Sequence, residues 1–106
     1  MIRHVVLFKV RQDLEDGKLQ KIFDGLAGLR HAIPGMVDFH GSANCSPENL
    51  NKGYTHGFTI DFMDVSARDA YLVDPEHKAL GGQLTEAAEG GVEGLLVLDI
   101  NLSDAH

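Results

Sequence analysis

Basic residues are scarce in this chain: nine Lys and Arg stand against sixteen Asp and Glu, a formal net charge of −7. That balance repels phosphate backbones and anionic lipid, and no local basic cluster offsets it, so neither nucleic acid nor a membrane surface is expected as a partner. Cysteine is nearly absent. Cys45 is the only one, which rules out an intrachain disulfide and a thiolate metal cluster and fits a reducing, cytoplasmic compartment. No segment approaches the ~18 apolar residues of a membrane span. The stretch Met1-Ile2-Arg3-His4-Val5-Val6-Leu7-Phe8-Lys9 lacks the ~7–15-residue apolar core and small-residue cleavage site of a signal peptide. No glycine-rich phosphate loop follows a strand pattern, so no nucleotide cofactor is expected. Internal repeats and interdomain linkers are missing as well.

What is there is ordinary globular material in a small package: 106 residues, 43% hydrophobic and 24% charged. That is one domain, read as residues 1–101 with a frayed C-terminal tail over 102–106. A chain this small buries under roughly 70% of its unfolded surface. Whether it covers all of its apolar surface alone is the first physical question.

Periodicity supplies the elements. Residues 5–10 are β-branched and aromatic, and alternation puts Ile2, His4, Val6 and Phe8 on one face with Val5 and Leu7 on the other. Leu19, Ile22, Phe23, Leu26, Leu29 and Ile33 recur at helical spacing until Pro34-Gly35 stops them. A short strand over 36–41 carries Val37 and Phe39 on one side, and a polar loop fills 42–53. The clearest strand is 54–62, with Tyr54, His56, Phe58, Ile60 and Phe62 facing one way. Ser66 is the expected N-cap of a short helix through Tyr71. Asp74 caps a second helix whose first residue is Pro75 and whose apolar stripe is Leu80, Leu84, Ala87 and Ala88, ended by Gly90-Gly91. A last strand spans 92–100, with Leu96, Leu98 and Ile100 on one face.

The order β-α-β-β-α-β is the ferredoxin-like α+β plan: a four-stranded antiparallel-type sheet with its helices on one face. The first and third strands are expected as central, parallel neighbours. The other face of the sheet is bare, yet the first strand is apolar on both sides. Exposing that surface costs ~25 cal/mol per Å², so a second copy of the chain is expected to cover it, giving a homodimer that closes an α/β barrel.

Four side chains are candidates for chemistry. His4 and His56 are expected near each other at the starts of neighbouring strands, close enough to share a hydrogen bond. Tyr71 and His77 flank the break at Asp74-Pro75, which lets both line one cleft between sheet and helices. A neutral imidazole is a suitable general base and a phenol can donate to a carbonyl oxygen that gains charge, which suits proton abstraction beside a carbonyl. A His among apolar strand residues is, however, more often a satisfied core residue. No third ligand accompanies His4 and His56, so no metal is expected. Asn44, Ser46 and Glu48 read as turn formers rather than cation ligands, Asp99 reads as structural, and Cys45 has no base beside it.

An ordered set of strings resembles the stress-responsive α/β-barrel (Dabb) family. They are Arg3-His4-Val5-Val6-Leu7-Phe8-Lys9, Ile33-Pro34-Gly35, Gly41 with Asn44 and Ser46-Pro47, Gly53-Tyr54-Thr55-His56-Gly57-Phe58, Ala70-Tyr71, Asp74-Pro75 with His77, and Leu98-Asp99. The resemblance implies a dimeric α/β barrel of ferredoxin-like subunits. It includes a plant enzyme that closes a linear polyketide by intramolecular aldol condensation, with a His base and a Tyr beside it. By that resemblance His77 is the base, Tyr71 its hydrogen-bond donor, and His4 and His56 the supporting pair. The implied ligand is a small aromatic or ketide-like molecule in a hydrophobic pocket under the helices, without a cofactor. Two other readings stay open: a non-catalytic stress-associated or ligand-binding dimer, and a cofactor-independent monooxygenase-like barrel.

Overall fold

A computed structural model describes residues 1–102. Strand β1 (Ile2–Phe8) leads to helix α1 (Lys18–Gly28), strands β2 (Met36–Ala43) and β3 (His56–Phe62), helices α2 (Val65–Val73) and α3 (Pro75–Ala87), and strand β4 (Leu95–Asn101). The sheet order is β2-β3-β1-β4, and every neighbouring pair is antiparallel. This is the ferredoxin-like α+β architecture that the element order predicts. No helix among the described residues is long and apolar enough to cross a membrane.

The expected parallel pairing of β1 and β3 is wrong. The crossover through α1 makes β1 and β2 parallel, and β3 returns from β2 by a hairpin, so β3 must run against β1. Ile2 pairs Phe62 and Phe8 pairs His56. Ile2, His4, Val6 and Phe8 all point to the helix side, where Phe58, Ile60 and Phe62 meet Ile22, Leu26, Leu29, Tyr71 and Leu84 in one core.

Element ends differ from the sequence reading for local reasons. Asp64, not Ser66, caps α2: its carboxylate accepts from Ala67 N–H at 2.9 Å, so the helix starts earlier and sets Ala67 and Tyr71 on the buried face. In β2 the register shifts between Met36 and Asp38. The bulge leaves Val37 exposed while Met36 is buried. The α1 periodicity tightens into a 3₁₀ turn over Leu29–His31, and residues 91–94 form a second such turn before β4 begins at Leu95. Beyond Phe8 the chain leaves β1, and Lys9 N–H donates to Gly94 O while Glu89 N–H donates to Lys9 O. Asn101 is still strand, and Leu102 N–H donates to Met1 O at 2.8 Å. The rest of the expected frayed tail, 103–106, lies outside the described residues.

Among the described residues, the opposite sheet face has no helix on it. Val5 and Leu7 from β1 and Leu96, Leu98 and Ile100 from β4 form its apolar half. Leu98 and Ile100 are 44% and 46% exposed. Its other half is polar, with Arg3 gripping Asp61 through two hydrogen bonds of 2.8 and 3.0 Å.

Candidate functional site

Tyr71 reaches the core because α2 is in the register set by the Asp64 cap; it is fully buried. Three residues on, Asp74 precedes a proline and takes an extended ψ of 130°, which stops α2. The same Asp74 carboxylate accepts from His77 N–H at 3.0 Å and caps α3, with Pro75 in its first turn. On an unbroken helix, residues six apart point about 120° away from each other. The break instead lays the two rings together, centroids 3.9 Å apart and 34° between planes.

His4 rises from β1 into the same cluster. Its ring stands edge-on to Tyr71 at 5.7 Å and to Phe62 at 6.3 Å. Directly across the strand pair is Asp99 of β4, with Oδ1 2.7 Å from His4 Nδ1. The other carboxylate oxygen accepts from Arg68 Nη1 at 2.8 Å. Arg68 sits three residues before Tyr71, on the same side of α2, so one ion pair ties the helix that carries Tyr71 to the strands that carry His4.

The protonation states follow. Burial would push the Asp99 carboxyl up, but the hydrogen bonds from His4 and Arg68 outweigh it and hold the group below the usual carboxylate range. An ionised carboxylate only accepts, so His4 Nδ1 carries the hydrogen of their bond. Burial pushes the Tyr71 phenol well above its ordinary value, which keeps its O–H as a donor. Burial, and then the charge of His4, push His77 down; the Leu72 and Tyr71 carbonyls and the Asp74 carboxylate oppose them without reversing the shift. His77 is therefore a neutral imidazole near pH 7. Tyr71 Oη and His77 Nδ1 are both buried without a hydrogen-bond partner among the described residues. An unpaired buried polar atom costs ~1–3 kcal/mol, and here two lie in adjacent rings.

His56 is elsewhere. Its strand partner is Phe8, whereas that of His4 is Ile60, four residues and therefore ~13 Å apart along the sheet. The predicted meeting of His4 and His56 does not occur, because it assumed parallel strands. His56 stacks on Phe8 at 5.9 Å and 23°, and its Nδ1 is 2.9 Å from Thr55 Oγ1. Burial lowers its pKa. It faces a groove of about 1070 Å³ with Phe23, Phe39, Tyr54 and Phe58, which also reaches Val5 and Leu7 on the bare face. His4, Tyr71 and His77 do not line that groove. A single cleft holding all four side chains was expected, and the structure divides them between two ends of the sheet.

Arg68 was missed in the sequence, and Asp99 was given a structural part only. The available signals were an arginine one helical turn before Tyr71 and a lone acid in the apolar run of β4. The turn-forming reading of the polar loop is what the structure has: Asn44 Oδ1 accepts from Ser46 N–H and Ser46 Oγ from Glu48 N–H.

Residues 2–102 match the stress responsive A/B barrel domain, Dabb. The chain belongs to this family. Among its relatives is the stress-response A/B barrel domain-containing protein HS1 of Arabidopsis thaliana, 30% identical over 98 residues that span 92% of this chain and 86% of that one. Olivetolic acid cyclase of Cannabis sativa is 24% identical over 80 residues, 76% of this chain and 79% of the enzyme. Among solved structures, a dimeric ferredoxin-like protein of unknown function from Jannaschia sp. superposes with a TM-score of 0.81 at 31% identity, over 95% of this chain and 98% of its own. This Dabb chain thus shares its fold with a protein described as dimeric and has distant sequence similarity to a cyclase.

Proposed function

We propose that this Dabb protein is a cytoplasmic homodimer whose His4–Tyr71–His77 cluster is a cofactor-free proton-transfer site, serving lyase or cyclase chemistry on a small aromatic or ketide-like carbonyl compound. The observation that carries the reading is the pair of unpartnered polar atoms, Tyr71 Oη and His77 Nδ1, in touching rings. Neutral His77 takes the proton from a carbon beside a carbonyl, and the electron pair of the broken C–H bond moves onto the carbonyl oxygen. Tyr71 O–H donates to that oxygen as it gains charge. In a cyclisation the enolate carbon then bonds to a second carbonyl of the same molecule, whose oxygen takes the proton back from His77. The likeness to olivetolic acid cyclase supports the same class of reaction.

Deuterium uptake by benzoylacetone, an aromatic β-diketone, followed by NMR in D₂O tests this. The protein should accelerate exchange, and His77→Gln should remove roughly 10²–10⁴-fold of the acceleration. Equal rates for the two proteins would contradict the assignment. The second reading, a ligand-binding dimer without chemistry, is favoured by the aromatic groove at His56; benzoylacetone bound there with no exchange is its signature. The dimer itself is supported by the bare apolar half-face and by the dimeric Jannaschia relative. Leu98→Glu should turn a dimer into a monomer in sedimentation, and a monomeric wild type at micromolar concentration would sink it.

A further inference from the structure

We propose that Asp99 is a positioning residue, which with Arg68 behind it fixes His4 as the tautomer bearing hydrogen on Nδ1 and leaves Nε2 as the acceptor nitrogen of the ring. The inference rests on the proton-transfer reading of the cluster, and it assigns work to two residues that the reading so far does not use. Four facts carry it. Asp99 is the direct cross-strand partner of His4, and their bond is 2.7 Å. Its second oxygen is taken by Arg68 at 2.8 Å. His4 itself is buried, 4% exposed, so water cannot substitute freely for the carboxylate.

The donors and acceptors along this chain have fixed directions. Arg68 can only donate. Both oxygens of the carboxylate accept, one from Arg68 and one from His4, and the chain is satisfied. An amide in place of the carboxylate has one oxygen and one NH₂. Arg68 claims the oxygen, which turns the NH₂ toward His4 Nδ1 and forces that nitrogen to accept. The ring hydrogen then moves to Nε2, and the ring presents a donor there where the wild type presents an acceptor. Removing the arginine as well frees the amide to flip, so its oxygen again meets His4 Nδ1–H. A contact that merely packed the strands together would have no such dependence on a residue of α2.

Histidine ¹⁵N shifts, read well above the ordinary histidine titration range, test this directly. Wild-type His4 should show the Nδ1–H tautomer, Asp99→Asn the Nε2–H tautomer, and Asp99→Asn with Arg68→Met the Nδ1–H tautomer again. Benzoylacetone exchange should follow, slower by roughly 10–100-fold in Asp99→Asn and regained in the double variant. Wild-type His4 with its hydrogen on Nε2 would overturn the proposal even if Asp99→Asn failed to fold, as would an Asp99→Asn protein whose His4 tautomer is unchanged. The shifts decide the placement of His4 whether or not the protein exchanges benzoylacetone. Absence of exchange in the wild type would count against the proton-transfer reading instead.

Discussion

The two ends of the helix-covered sheet face each hold a histidine, and they are in opposite conditions. His56 is satisfied and open: its Nδ1 has Thr55, its ring lies flat on Phe8, and the groove beside it is wide. The His4 end is closed and unsatisfied, with Tyr71 fully buried and two polar atoms lacking partners among the described residues. Volume and chemical tension therefore sit apart. A groove is where a molecule fits most easily, whereas buried donors without partners are where it gains most by arriving. The difference teaches that cavity size alone would have chosen His56 and passed over the cluster where Tyr71 Oη and His77 Nδ1 are buried without partners among the described residues.

Truncation should separate the two ends most strongly. Tyr71→Ala removes a fully buried ring and should cost about 3–5 kcal/mol in urea denaturation, while His56→Ala at the open end should cost under about 1 kcal/mol. Similar losses at both ends would erase the contrast. Next come the caps that position the closed end. Asp64→Ala and Asp74→Ala should each cost about 1 kcal/mol, with Ser66→Ala near zero; a larger loss at Ser66 would mean that α2 starts where the sequence first placed it.

A pH series reads both ends together. His77 and His56 have pKa values depressed by burial, so the unfolded chain takes up protons first as pH falls below about 6.5. Stability should be independent of these groups above that value and should decline below it, until the folded histidines also protonate. His77→Gln should flatten the decline more than His56→Gln, because His77 also faces the charge of His4. A decline that neither variant changes would contradict the burial account. The smallest effect is the sharpest: Tyr71→Phe deletes only an unpartnered buried hydroxyl, so stability should hold or rise slightly. A loss above about 1 kcal/mol would show that the hydroxyl is already bonded.

Much of this was legible in the sequence. Strand alternation grouped Ile2, His4, Val6 and Phe8 on one face without telling which face the helices cover, and Asp74-Pro75 announced both the helix break and the meeting of Tyr71 with His77. The bare, apolar sheet face followed from the element order and from a first strand that is apolar on both sides. The strand direction was misread, and that one error brought His56 into the expected site and hid the pairing of His4 with Asp99, since cross-strand partners exist only once a register is known. The Val37 bulge was beyond reach because a single extra residue leaves no compositional mark. Arg68 was missed because its worth depends on a carboxylate 31 residues away in sequence.

Chemical-shift mapping with benzoylacetone tests the central claim most directly. The account predicts saturable shifts at His4, Tyr71 and His77, relayed to Asp99 and Arg68, and abolished by His77→Gln. Shifts confined to His56, Phe39 and Phe58, with the cluster silent, would contradict it and make the open groove the binding site.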